Sequence, residues 1–292
     1  MQLKLSKGIW MMLVASFAFG LMNICVKMVK EIPVAETVFF RAVVQIVLGY
    51  LTLLQLGVSP MGKNKMLLLQ RGFYGSVGLI CYFYTLQHMP LGNAIIIHYL
   101  APVLTTILAI RMAGEKVISI QWLFFTLAFV GVIVVNGAGQ QVPLIPMLAG
   151  LGGALFSALA YNTIKKLKGV EDPNVVVLYF PMVSVPIALS YFLFRPADWV
   201  WPEGAQWLWL IATGITTQIG QFFMTRAYQE DLASRVSAVS YVGVLWGAGA
   251  GLLIFDEHYQ ALQYIGMAMV IGGVILNINA QRVKNFFAPA EN

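Results

Sequence analysis

The chain has 292 residues, of which 59% are hydrophobic and 10% charged, where a soluble domain carries roughly a quarter charged residues. Too little charge is present to solvate a surface in water; lipid is the expected solvent, and at about 20 apolar residues per spanning helix the length admits about ten spans and excludes a sizeable soluble domain. The net charge of +6 is scattered one to three residues at a time beside apolar runs, which is how a membrane protein sets its orientation and not how a phosphate-binding patch is built, so a nucleic-acid partner is excluded.

Lys4 and Lys7 precede the first apolar run, about 8–29. It is longer than a signal-peptide core and has no clear cleavage site, so it is expected to be a retained span. The later runs are about 35–56, 66–88, 92–112, 119–137, 144–166, 174–194, 205–226, 233–255 and 260–280. Turn chemistry separates them at Ile32-Pro33, Ser59-Pro60 with Gly62, Met89-Pro90-Leu91-Gly92, Gly137 to Gly139, Asp172-Pro173 and Pro196 to Pro202. The runs exceed strand length and lack a ten-residue alternation, which predicts an all-α membrane protein of ten helices and not a β-barrel.

With a cytoplasmic N-terminus, Lys4, Lys7, Lys63, Lys65, Arg71, Arg111, Lys116, Lys165, Lys166, Lys168, Arg226, Arg235, Arg282 and Lys284 fall on the cytoplasmic side, against Lys27, Lys30, Arg41 and Arg195 on the other. Fourteen against four is a positive-inside bias. It predicts a multi-pass protein of a bacterial inner membrane with both termini cytoplasmic. Trp199, Trp201, Trp207 and Trp209 are expected in the outer interface, where indoles favour the headgroups. Cys25 and Cys81 read as small apolar filler, with no disulfide framework or metal spacing.

Shifted by 142 residues, the chain matches itself: Gln87 falls on Gln229, Tyr99 on Tyr241, Glu115 on Glu257, Gln121 on Gln263 and Gly131-Val132-Ile133 on Gly273-Val274-Ile275. At a shift of 139, Asn23 falls on Asn162 and Lys27 on Lys166. A duplication into halves 1–140 and 141–292 is the expectation. Five spans per half is odd, so the repeat is inverted, as in many secondary transporters with a site near the midplane.

Phe39-Phe40-Arg41, the run Tyr84-Thr85-Leu86-Gln87-His88-Met89-Pro90-Leu91-Gly92-Asn93-Ala94, Ala101-Pro102, Gly114-Glu115, Phe255-Asp256-Glu257 and Gly272-Gly273-Val274 resemble the drug/metabolite transporter superfamily, and within it the EamA-type transporters. The resemblance spans nearly the whole chain. It implies ten helices, a central cavity between the halves, and carriage of amino acids, nucleosides or nucleotides, vitamins such as riboflavin, or other amphipathic metabolites. It implies no cofactor and names no substrate.

Ionisable groups in a bilayer are costly and therefore candidates for function. Every Asp and Glu maps to a loop or helix end, Glu36 being nearest the interior. His98, roughly 9 Å into the fourth span, suits a proton or substrate switch, or a neutral histidine bonded to a neighbouring helix. Protons stay open as a partner. Tyr99 and Tyr241 are each roughly 10–12 Å inward from opposite sides of a core about 30 Å thick, and offer a ring and a hydroxyl to an amphipathic solute, or simply pack. Asn23, Asn162, Gln218, Gln221, Ser237 and Ser240 supply neutral polar groups for a ligand or for helix–helix bonds. Tyr82 and Tyr84 close the third span, where they can line an outer vestibule for the solute. Arg41 is expected to neutralise Glu36 or a group on the first span, with substrate contact as the lesser reading, and Lys27 to share that ambiguity or snorkel.

Small residues suggest close packing and motion: Gly243, Gly247 and Gly251; Gly72, Gly75 and Gly78; and the strip Ala154, Ser157, Ala158, Tyr161. Pro102, Pro181 and Pro186 are expected to kink their helices. An intramembrane enzyme would need paired aspartates, a metal motif or a histidine–serine pair, and the chain has only His88, His98 and His258. A pump would need a phosphate-binding loop and a channel a filter or charged ring. A carrier for a small solute, by alternating access, is the reading that remains, as monomer or homodimer.

Overall fold

The computed structural model describes residues 6–88, 96–136, 143–254 and 259–287. Among these the chain is helical, without strands. Helices α1 (Lys7–Met28), α2 (Val34–Leu56), α3 (Lys65–His88), α4 (Ala101–Ala113), α5 (Ser119–Asn136), α6 (Leu144–Lys166), α7 (Pro173–Phe194) and α8 (Ala205–Glu230) are followed by α9 (Ala233–Val239), α10 (Gly243–Ile254), α11 (Ala261–Ile278) and α12 (Ala280–Phe287). Each expected apolar run coincides with one helix, except that the fourth is interrupted at Tyr99 and Leu100 ahead of α4 and the ninth is divided into α9 and α10. The polar tail α12, with Arg282 and Lys284, extends past the last expected run. The Met89–Ala94 stretch, Phe255-Asp256-Glu257, His258 and the 140/141 boundary lie outside the described residues.

Local chemistry sets the ends. Ser6 caps α1, its hydroxyl accepting from the Ile9 amide at 3.3 Å. Asp172 caps α7 through the Asn174 amide at 2.8 Å, with Pro173 at the first position, where a missing N–H costs nothing. Gly57 and Gly114 end α2 and α4 in the left-handed conformation, at φ 64° and 65°, where a side chain would be strained. Pro181 and Pro186 lie inside α7 as anticipated.

Seven segments are long and apolar enough to cross a bilayer: α1, α2, Ile96–Ala113, α6, α7, Ala233–Ile254 and α11. The shorter α5 is apolar too. Helices α3 and α8, with 24 and 26 residues, are long enough but more polar. They are also joined by a buried side-chain hydrogen bond, described below.

The principal packing pairs are α1 with α8, α3 with α6, α5 with α11, α2 with α7, α3 with α7, α2 with α8, α4 with α6, α1 with α9 and α10, and α4 with α9. Exchanging the first five runs for the last five maps each of these pairs onto itself or another. Close approach makes the seams. A Cβ added to Gly131 on α5 would lie 2.7 Å from the Gly266 carbonyl oxygen of α11, and one added to Gly266 2.9 Å from that of Gly131. Both neighbours are backbone and cannot step aside. Gly131→Ala should therefore lower stability by about 1–3 kcal/mol, read as a lower melting temperature of the purified protein. An unchanged melting temperature would show that the seam relaxes freely.

Candidate functional site

Two helices are interrupted at the tyrosines that a shift of 142 residues superposes. In Ile96–Ala113 the helix is broken at Tyr99 and Leu100 before α4 begins. Pro102, expected to kink a continuous span, instead stands second in α4, and its missing N–H removes the bond that His98 would have accepted across the break. Between α9 and α10 the chain makes a 3-10 turn, Ser240–Val242, centred on Tyr241. The two rings meet with centroids 5.6 Å apart and planes tilted by 31°. Tyr241 is fully buried and its hydroxyl has no hydrogen-bond partner.

Further aromatics extend this contact. Tyr82 of α3 stacks on His98 at 4.0 Å, and Tyr161 of α6 stacks on Tyr228 of α8 at 5.1 Å. Tyr82 and Tyr161 lie within electrostatic reach of Tyr99, and Arg71 within reach of Tyr161. Tyr99, Tyr241, His98 and Tyr82 are thus brought together. The structure adds Tyr161, which the sequence places only on a packing strip, and Tyr228. The Nδ1 of His98 is buried without a partner.

The remaining expected residues divide. Gln221 accepts from Arg71 Nη2 at 2.9 Å inside the bundle. Asn162 bonds to the Thr105 and Ala158 carbonyls, each at 3.0 Å, and so ties α6 to α4. Asn23, which matches it in the shifted sequence, is exposed on α1, as is Lys27. Gln218 is half-buried near Gly49, and the Ser240 hydroxyl donates to the Ser237 carbonyl within its own turn. A Cβ at Gly243 would lie 2.8 Å from the Tyr99 hydroxyl, whereas one at the exposed Gly247 would meet nothing within 4 Å.

The charged residues depart most from expectation. Glu36 does not pair with Arg41. It accepts from the Val200 amide at 3.0 Å, and residues five apart point to different sides of a helix. Arg41 is 4% exposed, with its guanidinium 5.6 Å from the Phe180 ring. Arg71, counted above among the cytoplasmic surface charges, is 2% exposed, 4.8 Å from the same ring.

Three carboxylates at element ends are buried and bond to distant backbone. Glu36 holds the 195–204 connection, Glu171 accepts from the Lys63 and Asn64 amides ahead of α3, and Glu115 accepts from the Ala233 and Ser234 amides at 2.8 and 3.3 Å. Glu115 thereby caps α9 from the connection that follows α4. It also pairs with Lys165, which donates to the Asp231 carbonyl. Asp231 in turn accepts from the Ser6 hydroxyl. The ends of α4 and α6, the start of α1 and the α8–α9 junction are fastened together at one end of the bundle. No group of three or more His, Cys, Asp or Glu side chains poised for a metal occurs among the described residues.

The EamA-like transporter family matches residues 6–137 and again residues 144–279. The pseudopaline exporter of Pseudomonas aeruginosa is 30% identical over 270 residues, covering 91% of this chain and 94% of that protein. Solute carrier family 35 member G1 of Mus musculus is 27% identical over 268 residues, covering 86% and 72%. The riboflavin transporter of Vibrio cholerae is 25% identical over 259 residues, covering 88% and 83%. One crystal structure of a protein has a TM-score of 0.84 at 18% identity, over 96% of this chain and 99% of that one.

Removing the Glu115 carboxylate would strand a half-buried ammonium and two buried amides. Glu115→Ala should destabilise the fold by about 3–5 kcal/mol, the usual cost of breaking a buried pair from one side, and Glu115→Gln by less. Thermal unfolding in detergent measures both, and equal melting temperatures for the three proteins would contradict the assigned cap.

Proposed function

This chain belongs to the EamA-like transporter family, and we propose that it carries its solute by alternating access around the Tyr99–Tyr241 contact. It is a transporter of a small metabolite in a lipid bilayer. The observation that carries the proposed mechanism is the meeting of the two superposed tyrosines at breaks in two helices. Interrupted helices near the midplane free backbone groups for a ligand and divide each span into segments that can turn separately.

Ten spans in two inverted halves, 1–140 and 141–292, are the architecture we propose. The family's two matches start at residues 6 and 144 and end at 137 and 279, a separation within a few residues of the offsets read in the sequence. The exchange symmetry of the packing pairs supports the same reading. The Glu115–Lys165 cluster then acts as a latch that closes one end of the central path. With the buried Arg41 and Arg71 set aside, thirteen basic residues against three still favour cytoplasmic termini in a bacterial inner membrane. The relatives' names, a pseudopaline exporter and a riboflavin transporter, support an organic passenger, and a vitamin, amino acid or nucleoside is the class we propose.

A thermal-shift screen against amino acids, nucleosides, vitamins and organic cations identifies a solute that stabilises the protein. Uptake of that solute into proteoliposomes should fall about tenfold in Tyr99→Ala and Tyr241→Ala, a loss of about 1.4 kcal/mol of interaction. Tyr99→Phe and Tyr241→Phe keep the ring and should keep the wild-type melting temperature while weakening binding. Wild-type uptake in both Ala variants would remove the tyrosines from the site.

A further inference from the structure

Between α2, α3, α7 and α8 the bundle buries two cations with no paired anion among the described residues. Arg41 and Arg71 both lean on the Phe180 ring, at 5.6 and 4.8 Å. Arg71 is held by one neutral bond, to Gln221, and its Nε has no partner. Arg41 leaves Nε and Nη2 unpartnered. Gln45, one helical turn along α2 from Arg41, is fully buried with both amide atoms unpartnered. Neither arginine forms an ion pair among the described residues, and Glu36 is engaged with Val200.

A buried guanidinium needs a counter-charge and hydrogen bonds, and an aromatic face replaces only part of what water supplied. The donors left open belong to Arg41 and Arg71, which share the Phe180 ring, and to Gln45, one turn along α2 from Arg41. Guanidinium forks match the two oxygens of a carboxylate or the oxygens of a phosphate. Arg71 lies within electrostatic reach of Tyr161, the α6 tyrosine of the aromatic group.

We infer that Arg41 and Arg71, with Gln45, bind an anionic oxygen group, a carboxylate or phosphate, on the solute that this transporter carries. The inference rests on the carrier reading above and adds the charge of the passenger. The body of the solute lies on the tyrosines and its anionic head on the two arginines.

The test is thermal-shift titration of the purified full-length protein with matched anionic and neutral probes: phenylacetate with phenylacetamide, N-acetyl-L-phenylalanine with N-acetyl-L-phenylalaninamide, AMP with adenosine, and riboflavin 5′-phosphate with riboflavin. The carboxylate and phosphate pairs separate the two head groups. At least one anion should bind about tenfold tighter than its neutral partner. That preference should vanish in Arg41→Gln and Arg71→Gln and partly return in Arg71→Lys. Without ligand, Arg41→Met should melt at or above the wild-type temperature, because an unpaired charge is exchanged for an apolar chain of similar length. A fall of several degrees would make Arg41 a structural member and overturn the inference. So would neutral probes binding as well as anions, or an anion preference unchanged in both Gln variants. Those outcomes leave the carrier reading standing, since neutral probes and the tyrosine variants test it separately.

Discussion

Lipid offers no hydrogen-bond partner, so every polar group inside this bundle must be satisfied by the chain or by what the chain carries. That constraint orders the structure. Where the carboxylates of Glu36, Glu115 and Glu171 are buried, each takes backbone amides from a connection or helix start distant in sequence. Amides at helix starts have no intrahelical acceptor, and a carboxylate supplies one together with a charge that suits the helix dipole. These side chains are costly in the membrane if free. Bonded in this way they become fasteners between segments far apart in the chain.

The same constraint makes the interior asymmetric in chemistry while the packing pairs remain symmetric. Along the α5–α11 seam glycines let backbones touch, and no polar side chain intrudes at the contact between Gly131 and Gly266. Helices α3 and α8, exchanged by the same rule, instead bring Arg71 and Gln221 together. A carrier needs both kinds of surface. Small-residue seams move as rigid pairs, and a polar seam provides the place where a solute can replace water.

Much of the helix pattern was legible because an apolar run of about 20 residues has one stable form in lipid. The breaks at Tyr99 and Ser240–Val242 were less so: Pro102 pointed to a kink near the first, and only the match of Tyr99 to Tyr241 marked the second. Arg71 was misread for a different reason. It stands six residues into α3, where a long side chain can reach a surface, and its burial depends on Gln221, 150 positions later. Glu115 likewise looks like a loop residue until Ala233 and Ser234 arrive from 118 and 119 positions away. Arg41 and Glu36 illustrate the reverse error. Their nearness in sequence suggested a pair that helical geometry does not favour, since side chains meet at spacings of three and four.

The two corrections together alter what the site is. Sequence alone pointed to aromatic, amide and hydroxyl groups, which would suit a neutral solute. Releasing Arg41 from Glu36 and moving Arg71 from the surface to the interior places two positive charges against one phenyl ring. The carboxylates nearest in kind are already engaged: Glu36 by Val200, Glu171 by two amides, Glu115 by Lys165. Among the described residues no carboxylate pairs with either arginine, and the balancing charge we propose is that of the passenger. Binding would then neutralise the arginines and lower the cost of carrying them through the middle of the bilayer, so that the loaded carrier is favoured to move over the empty one.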